Sequence, residues 1–211
     1  MTQEAAWLDK AERRFGEFSI PGLSSFLAGM NAVVGVLSLI RPDFPGQLSL
    51  EPLLIRQGQL WRLVTFLFIP PQTGPLWLLF YLIMLYGAMR ALESHWGEFR
   101  FTVFWAAGAA ATSAAALFFG GSLSNVPLNM SVFLAFARLF PDFEVMILFV
   151  LPVKVRWLAL IAWLMTALSV LAGGLGDRVA TLAGLSNYLL FFGPGHWQDL
   201  RFAWRRWRAG L

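Results

Sequence analysis

The chain is a succession of apolar runs separated by short stretches that carry proline, arginine and acidic residues, and six of the runs could cross a bilayer. They cover residues 24–40, 75–92, 101–119, 127–139 (with 122 as an alternative start), 157–172 and 178–192. A spanning helix needs about 20 mainly apolar residues, so the fourth run is short, as a helix enclosed by others can be. Start and stop signals frame the runs. Ser24 or Ser25 after Pro21-Gly22 is placed to cap the first, and Arg41-Pro42 ends it. Thr73 and Pro75 open the second, and Asp177 is placed to cap the sixth. The centre of the third run, 106–116, is built from alanine, glycine, threonine and serine. Lipid gives helices no hydrophobic reason to associate, so small side chains that let backbones approach mark a buried, central helix.

Four stretches do not fit the spanning pattern. Residues 143–151 are apolar but about half the required length, and Pro141-Asp142 and Pro152-Val153-Lys154 bound them. This piece is expected to lie at the membrane surface or to fold back. In residues 1–20, Trp7, Leu8, Phe15 and Phe18 alternate with charged residues, which predicts a short amphipathic surface helix and not a signal peptide. At the other end, Trp197, Trp204 and Trp207 are interleaved with Arg201, Arg205, Arg206 and Arg208, the pattern of an interfacial helix. The segment 41–73 shows no clear helix and is long for a connector, and such loops are usually functional or partly embedded. Inside it, Trp61 and Arg62 interrupt an apolar run: the indole suits the interface, and the guanidinium can bond phosphates or loop carbonyls. Folding is expected to survive Arg62→Ala. The chain thus divides into a segment 1–20, a six-span domain 21–195 and a basic, tryptophan-rich tail 196–211.

Composition agrees with the pattern. Apolar residues make up 58% and charged residues 13% of the 211-residue chain, against about 25% charged in ordinary soluble domains. With no cysteine there is no disulfide, thiolate metal site or cysteine nucleophile, and no cofactor or metal is expected. The net charge of +4 sits at the ends of apolar runs, where lipid headgroups and topology account for it, so nucleic acid is not an expected partner. If both termini are cytoplasmic, Arg41, Arg56, Arg62 and Arg178 face outward and the other arginines and lysines face inward, a positive-inside distribution. No acidic or basic residue lies deep in a run, which counts against ion-coupled transport.

Several fragments resemble the rhomboid superfamily, and bacterial members in particular. They are Gly58-Gln59-Leu60-Trp61-Arg62-Leu63-Val64-Thr65, the Glu93-Ser94-His95-Trp96-Gly97 passage, Leu139-Phe140-Pro141-Asp142 through Pro152-Val153-Lys154, and Ala180-Thr181-Leu182-Ala183-Gly184-Leu185. Trp61-Arg62 is also similar to the Trp-Arg motif of the derlins, although Tyr188 stands where their second sixth-span glycine would be. The resemblance covers residues 20–195. It implies an all-α, polytopic, six-helix rhomboid-like bundle with its first loop partly in the outer leaflet, and a bacterial inner-membrane location with both termini cytoplasmic.

Active rhomboids place a serine in Gly-x-Ser-Gly on span four, a histidine on span six and an asparagine on span two. Here Ser131 lacks both flanking glycines, Thr181 takes the histidine position and Tyr81 falls near the asparagine position. A serine hydroxyl needs a positioned base, and threonine cannot serve as one near neutral pH. His95 and His196 fall outside the spans. The catalytic roles are therefore vacant, and the resemblance implies a pseudoprotease that binds transmembrane segments of client proteins or perturbs the bilayer. An intramembrane serine protease using Ser131 with another base is the alternative, and a scaffold or small-molecule transporter is the second. Asn31, Asn129, Ser131, Thr181, Ser186 and Asn187 are polar groups in or near spans, suited to interhelical hydrogen bonds or to a cavity between spans four and six. Trp61, Arg62, Asn129 and Asn187 are the candidate client or lipid contacts.

Overall fold

A computed structural model describes residues 6–120, 123–147, 151–193, 195 and 201. The predicted tail helix, with Trp197, Trp204 and Trp207, lies outside the described residues. The elements in order are α1 (Ala6–Phe15), α2 (Leu23–Ile40), α3 (Phe44–Leu48), α4 (Pro52–Arg56), α5 (Arg62–Thr65), α6 (Pro75–Trp96), α7 (Glu98–Phe119), α8 (Val126–Leu139), strands β1 (Glu144–Ile147) and β2 (Leu151–Lys154), α9 (Val155–Ala172) and α10 (Leu175–Gly184). After a turn at Leu185 the helix resumes over 186–193. The fold is a helical membrane bundle in which α2, α6, α7 and α9 are long and apolar enough to cross a bilayer.

The short α8 is the helix most enclosed by others. It packs against α6, α7, α9 and α10, and Leu128, Ser131, Val132, Leu134, Ala135, Phe136 and Ala137 are all buried. At about 1.5 Å per residue its length is roughly 21 Å, less than the hydrocarbon thickness. The small-residue helix α7 shares the interior instead of holding its centre. Its buried Gly108, Ala109, Thr112, Ala115 and Ala116 recur at helical spacing and form one face, and α10 is a main partner of this helix. A side chain at Gly184 of α10 would run into Pro127 and the Leu128 backbone, so α10 also approaches α8 at backbone distance.

Local signals are partly rearranged. α2 starts after Gly22, whose φ of 67° suits glycine, and no side chain caps it. Ser24 instead donates its hydroxyl to Glu93 Oε2 at 2.5 Å. Glu93 is 3% exposed, so a carboxylate from the end of α6 is held at the N-terminus of α2, where the helix dipole favours negative charge. Gly74, not Thr73, is the N-cap of α6, and Pro75 opens its first turn as the sequence predicts. α10 starts three residues earlier than the predicted sixth run. Asp177 accepts from Gly174 N–H at 3.0 Å, while Arg178 donates to the Gly173 and Leu171 carbonyls at the end of α9. One dipeptide thus caps two successive helices.

The half-length apolar piece folds back as an antiparallel hairpin, with Val145 opposite Val153 and Glu144 opposite Lys154. Its two four-residue strands leave the expected all-α membrane bundle in place around them. Asp142 pairs with Lys154 at 3.4 Å and Arg156 at 3.5 Å, and Val155 N–H donates to the Phe143 carbonyl at 2.8 Å. These contacts return the chain to where α8 left it. α1 forms as predicted. Leu8 is buried, and Arg100 at the start of α7 binds both Asp9 and Glu12, at 2.7 and 3.0 Å.

Candidate functional site

The segment 41–73 is built rather than open: it contains α3, α4 and α5 and a 3-10 turn at Phe66–Phe68. Arg62 organises it from inside. It is 6% exposed and donates to Gln59 Oε1 at 2.8 Å, the Gly46 carbonyl at 2.9 Å and the Ser49 carbonyl at 2.8 Å. A guanidinium can hold several acceptors at once because its donors are fixed in a planar fork. Of the acceptors expected for the guanidinium, phosphates or loop carbonyls, the structure shows loop carbonyls, and this burial leaves Arg62 little surface for a client or lipid. Trp61 next to it is 54% exposed and does face outward. Further ties hold the segment to the bundle. Asn125, at the N-cap of α8, donates to the Leu67 and Ile69 carbonyls at 3.0 and 2.9 Å, and Leu50 forms an isolated bridge with Leu123.

Beside this lid of short helices lies an apolar cleft of about 420 Å³, between α6 and α9 with α8 as its floor. Each helix contributes a stripe at i, i+3, i+4, i+7: Tyr81, Met84, Leu85 and Ala88 from α6; Val126, Asn129, Met130 and Phe133 from α8; Leu158, Ile161, Ala162 and Met165 from α9. Residues at that spacing share one helix face. α9 packs on α8 and α10, and few of its residues are buried, Val155 and Ala162 among them. Its side of the cleft is therefore the less supported one.

Two polar side chains, Tyr81 and Asn129, line the cleft, and they are bonded to each other. Asn129 Nδ2 donates to the Tyr81 hydroxyl at 2.9 Å. That hydroxyl lies 3.4 Å from Asn31 Oδ1 as donor, and Asn31 Nδ2 donates to the Leu27 carbonyl at 2.9 Å. The relay joins α8, α6 and α2 and leaves no buried amide of Asn31 unbonded.

The remaining sequence-predicted residues fall elsewhere. Ser131 is two positions from Asn129, about 200° around α8, and so points into the core. It is fully buried and donates to the Leu128 carbonyl of its own helix at 2.6 Å. Thr181 is buried in α10. His95 stacks on Phe140, ring centroids 5.7 Å apart, about 21 Å along α6 from Tyr81. His196 lies outside the described residues. Asn187 is fully buried: its Oδ1 accepts from Tyr188 N–H at 2.8 Å, while its Nδ2 has no partner among the described residues. It contributes to helix packing and not to any surface a client could touch, which corrects its place among the contacts. Of the four candidate contacts, Asn129 and Trp61 remain accessible. The stripes on α6 and α9 escape sequence reading because these helices are apolar on every face, so no moment marks the cleft side.

A family model described as "Eukaryotic integral membrane protein (DUF1751)" matches residues 23–193. No curated protein matches the chain. The eukaryotic description gives no support to a bacterial inner-membrane placement and leans against it.

Proposed function

The chain belongs to this family of eukaryotic integral membrane proteins, and from that membership we propose a rhomboid-like pseudoprotease that binds transmembrane segments of client proteins in the α6–α8–α9 cleft without cutting them. The observation that carries this reading is the pairing of a helix-lined apolar cleft with a serine turned away from it. Val126, Asn129, Met130 and Phe133 face the cleft, and Ser131 is bonded to its own helix on the opposite side. A segment whose own residues repeat at i, i+3, i+4 and i+7 would meet three complementary stripes.

The proposed topology has six spans with both termini cytoplasmic. In support, α10 and its continuation through 193 run about 28 Å, and α8 is enclosed by helices that need not share its length. α1, with Lys10, Arg13 and Arg14, and the end of the hairpin, with Lys154 followed by Arg156, sit where α7 and α9 begin, which agrees with a positive-inside arrangement.

The test is a photo-crosslinking residue placed at Met165, inside the cleft, compared with one at the exposed Leu171 of α9. The expected result is a protein adduct from position 165, mapped to a transmembrane segment, and lipid adducts alone from position 171. Lipid alone from both would remove client binding. A fluorophosphonate label that disappears in Ser131→Ala would instead establish the protease.

A further inference from the structure

The hydrogen-bond relay beneath the cleft has a direction, and the direction decides what the cleft offers a guest. A backbone carbonyl only accepts, so the Asn31 atom facing the Leu27 carbonyl is its nitrogen. Asn31 Oδ1 is then the atom facing Tyr81, and since Asn31 is almost fully buried, that oxygen finds its donor in the Tyr81 hydroxyl. With its proton committed to Asn31, the hydroxyl presents a lone pair to Asn129, which must answer with Nδ2. Flipping Asn129 would take the tyrosine proton away and leave a buried acceptor on Asn31 unbonded, the costlier arrangement. Asn129 Oδ1 and the second Nδ2 hydrogen are what remain: an acceptor and a donor on a cleft-lining residue, without a partner among the described residues.

Resting on the cleft reading above, we infer that the cleft selects guest helices that carry a carboxamide side chain, which can donate to Asn129 Oδ1 and accept from its second Nδ2 hydrogen. The rest of the lining described above is apolar apart from Tyr81, whose hydroxyl is already engaged on both sides. A purely apolar guest fits by shape alone. A guest presenting only an acceptor can use the second Nδ2 hydrogen but leaves Asn129 Oδ1 unbonded. Tyr81 lies six residues into α6, so the donor should sit about 9 Å from the end of the bundle that carries the 41–73 segment. Tyr81 and Asn31 are positioning residues here: they hold the amide of Asn129 in one orientation.

The experiment uses full-length protein in phosphatidylcholine nanodiscs, labelled with a fluorophore at Leu168→Cys. The chain has no native cysteine, and Leu168 is exposed on α9 and lies outside the cleft lining. Three quencher-bearing transmembrane peptides differ at one position, two turns from one end: leucine, asparagine, or N,N-dimethylasparagine, which keeps the carbonyl but has no N–H. The asparagine peptide is expected to bind about three- to tenfold more tightly than the other two, the range of interhelical hydrogen bonds in membranes. Asn129→Leu should abolish that preference while the leucine peptide still binds. Tyr81→Phe, which frees the amide to turn, should reduce the preference without abolishing binding. Equal binding of all three peptides to the wild type, or a preference that persists in Asn129→Leu, overturns the inference and leaves the cleft reading standing. Binding of none overturns both.

Discussion

The Asn187 side chain packs against the bare Cα of Gly108: a Cβ placed there would lie 2.8 Å from Asn187 Nδ2 and closer still to Leu128 Cδ1. This contact locks the continuation of α10 to α7 and leaves the Nδ2 of a fully buried amide without a partner among the described residues. Gly108→Ala is expected to push the helices apart at a cost of about 1–3 kcal/mol, the usual penalty of overpacking. Gly87 on α6 has nothing within 4 Å of such a Cβ, so Gly87→Ala should stabilise by about 0.5–1 kcal/mol through helix propensity alone. Thermal unfolding in detergent, followed by tryptophan fluorescence, should move in opposite directions for the two variants.

Arg62 makes a similar argument for the loop. Removing it strands the Gly46 and Ser49 carbonyls that its Nη1 now serves, and hydrogen bonds to a charged group are worth about 1.5–3 kcal/mol each. Arg62→Ala should therefore lower the unfolding temperature and speed proteolysis within 41–73. Arg62→Lys should rescue little, because an ammonium cannot reproduce the planar fork that also reaches Gln59. Full rescue by lysine would show that charge alone matters.

Much of this was legible in the sequence, and what was not has physical reasons. The long helices, the surface helix α1 and the fold-back after Pro141 follow from run lengths, amphipathic spacing and breakers. The hairpin did not, since 143–151 shows no alternation and its closure depends on Asp142 meeting Lys154 and Arg156. Asn129 stood out as a polar residue in an apolar run and Tyr81 only through the family resemblance, and their union needs the phase and distance of two helices whose bonded residues are 48 apart in sequence. For Arg62 the sequence leaves phosphates and loop carbonyls both open, and only the folded loop shows the Gly46 and Ser49 carbonyls that bury it. Asn125 gave no signal: the carbonyls it holds belong to Leu67 and Ile69.

Glu93 joins the C-terminal end of α6 to the start of α2, accepting from the Ser24 hydroxyl and from Arg90 at 3.2 Å. Glu93→Gln keeps the acceptor for Ser24 but removes the charge at the α2 N-terminus, and should cost about 1–2 kcal/mol. Glu93→Leu also leaves the buried Ser24 hydroxyl without this acceptor and should cost more. The measurement is the unfolding temperature of each variant alongside Ser24→Ala. If the two positions act as one unit, Ser24→Ala should add less in the Glu93→Leu background than alone.

Arg100 decides whether α1 stays on the bundle. Asp9 and Glu12, its carboxylate partners among the described residues, are about half exposed, and Arg100 itself is 20% exposed, so solvent screens these pairs and together they are worth about 1 kcal/mol. Burial of Leu8 supplies the rest of the docking. Arg100→Ala should therefore loosen α1 without unfolding the domain: amide exchange over 8–15 should quicken about fivefold, while exchange in α7 beyond its first turn stays unchanged. Raising the ionic strength from 0.1 to 1 M should do the same to the wild type and little to the variant, because salt acts through the charges the variant has already lost. An equal salt response in both proteins would mean that apolar burial alone holds the helix.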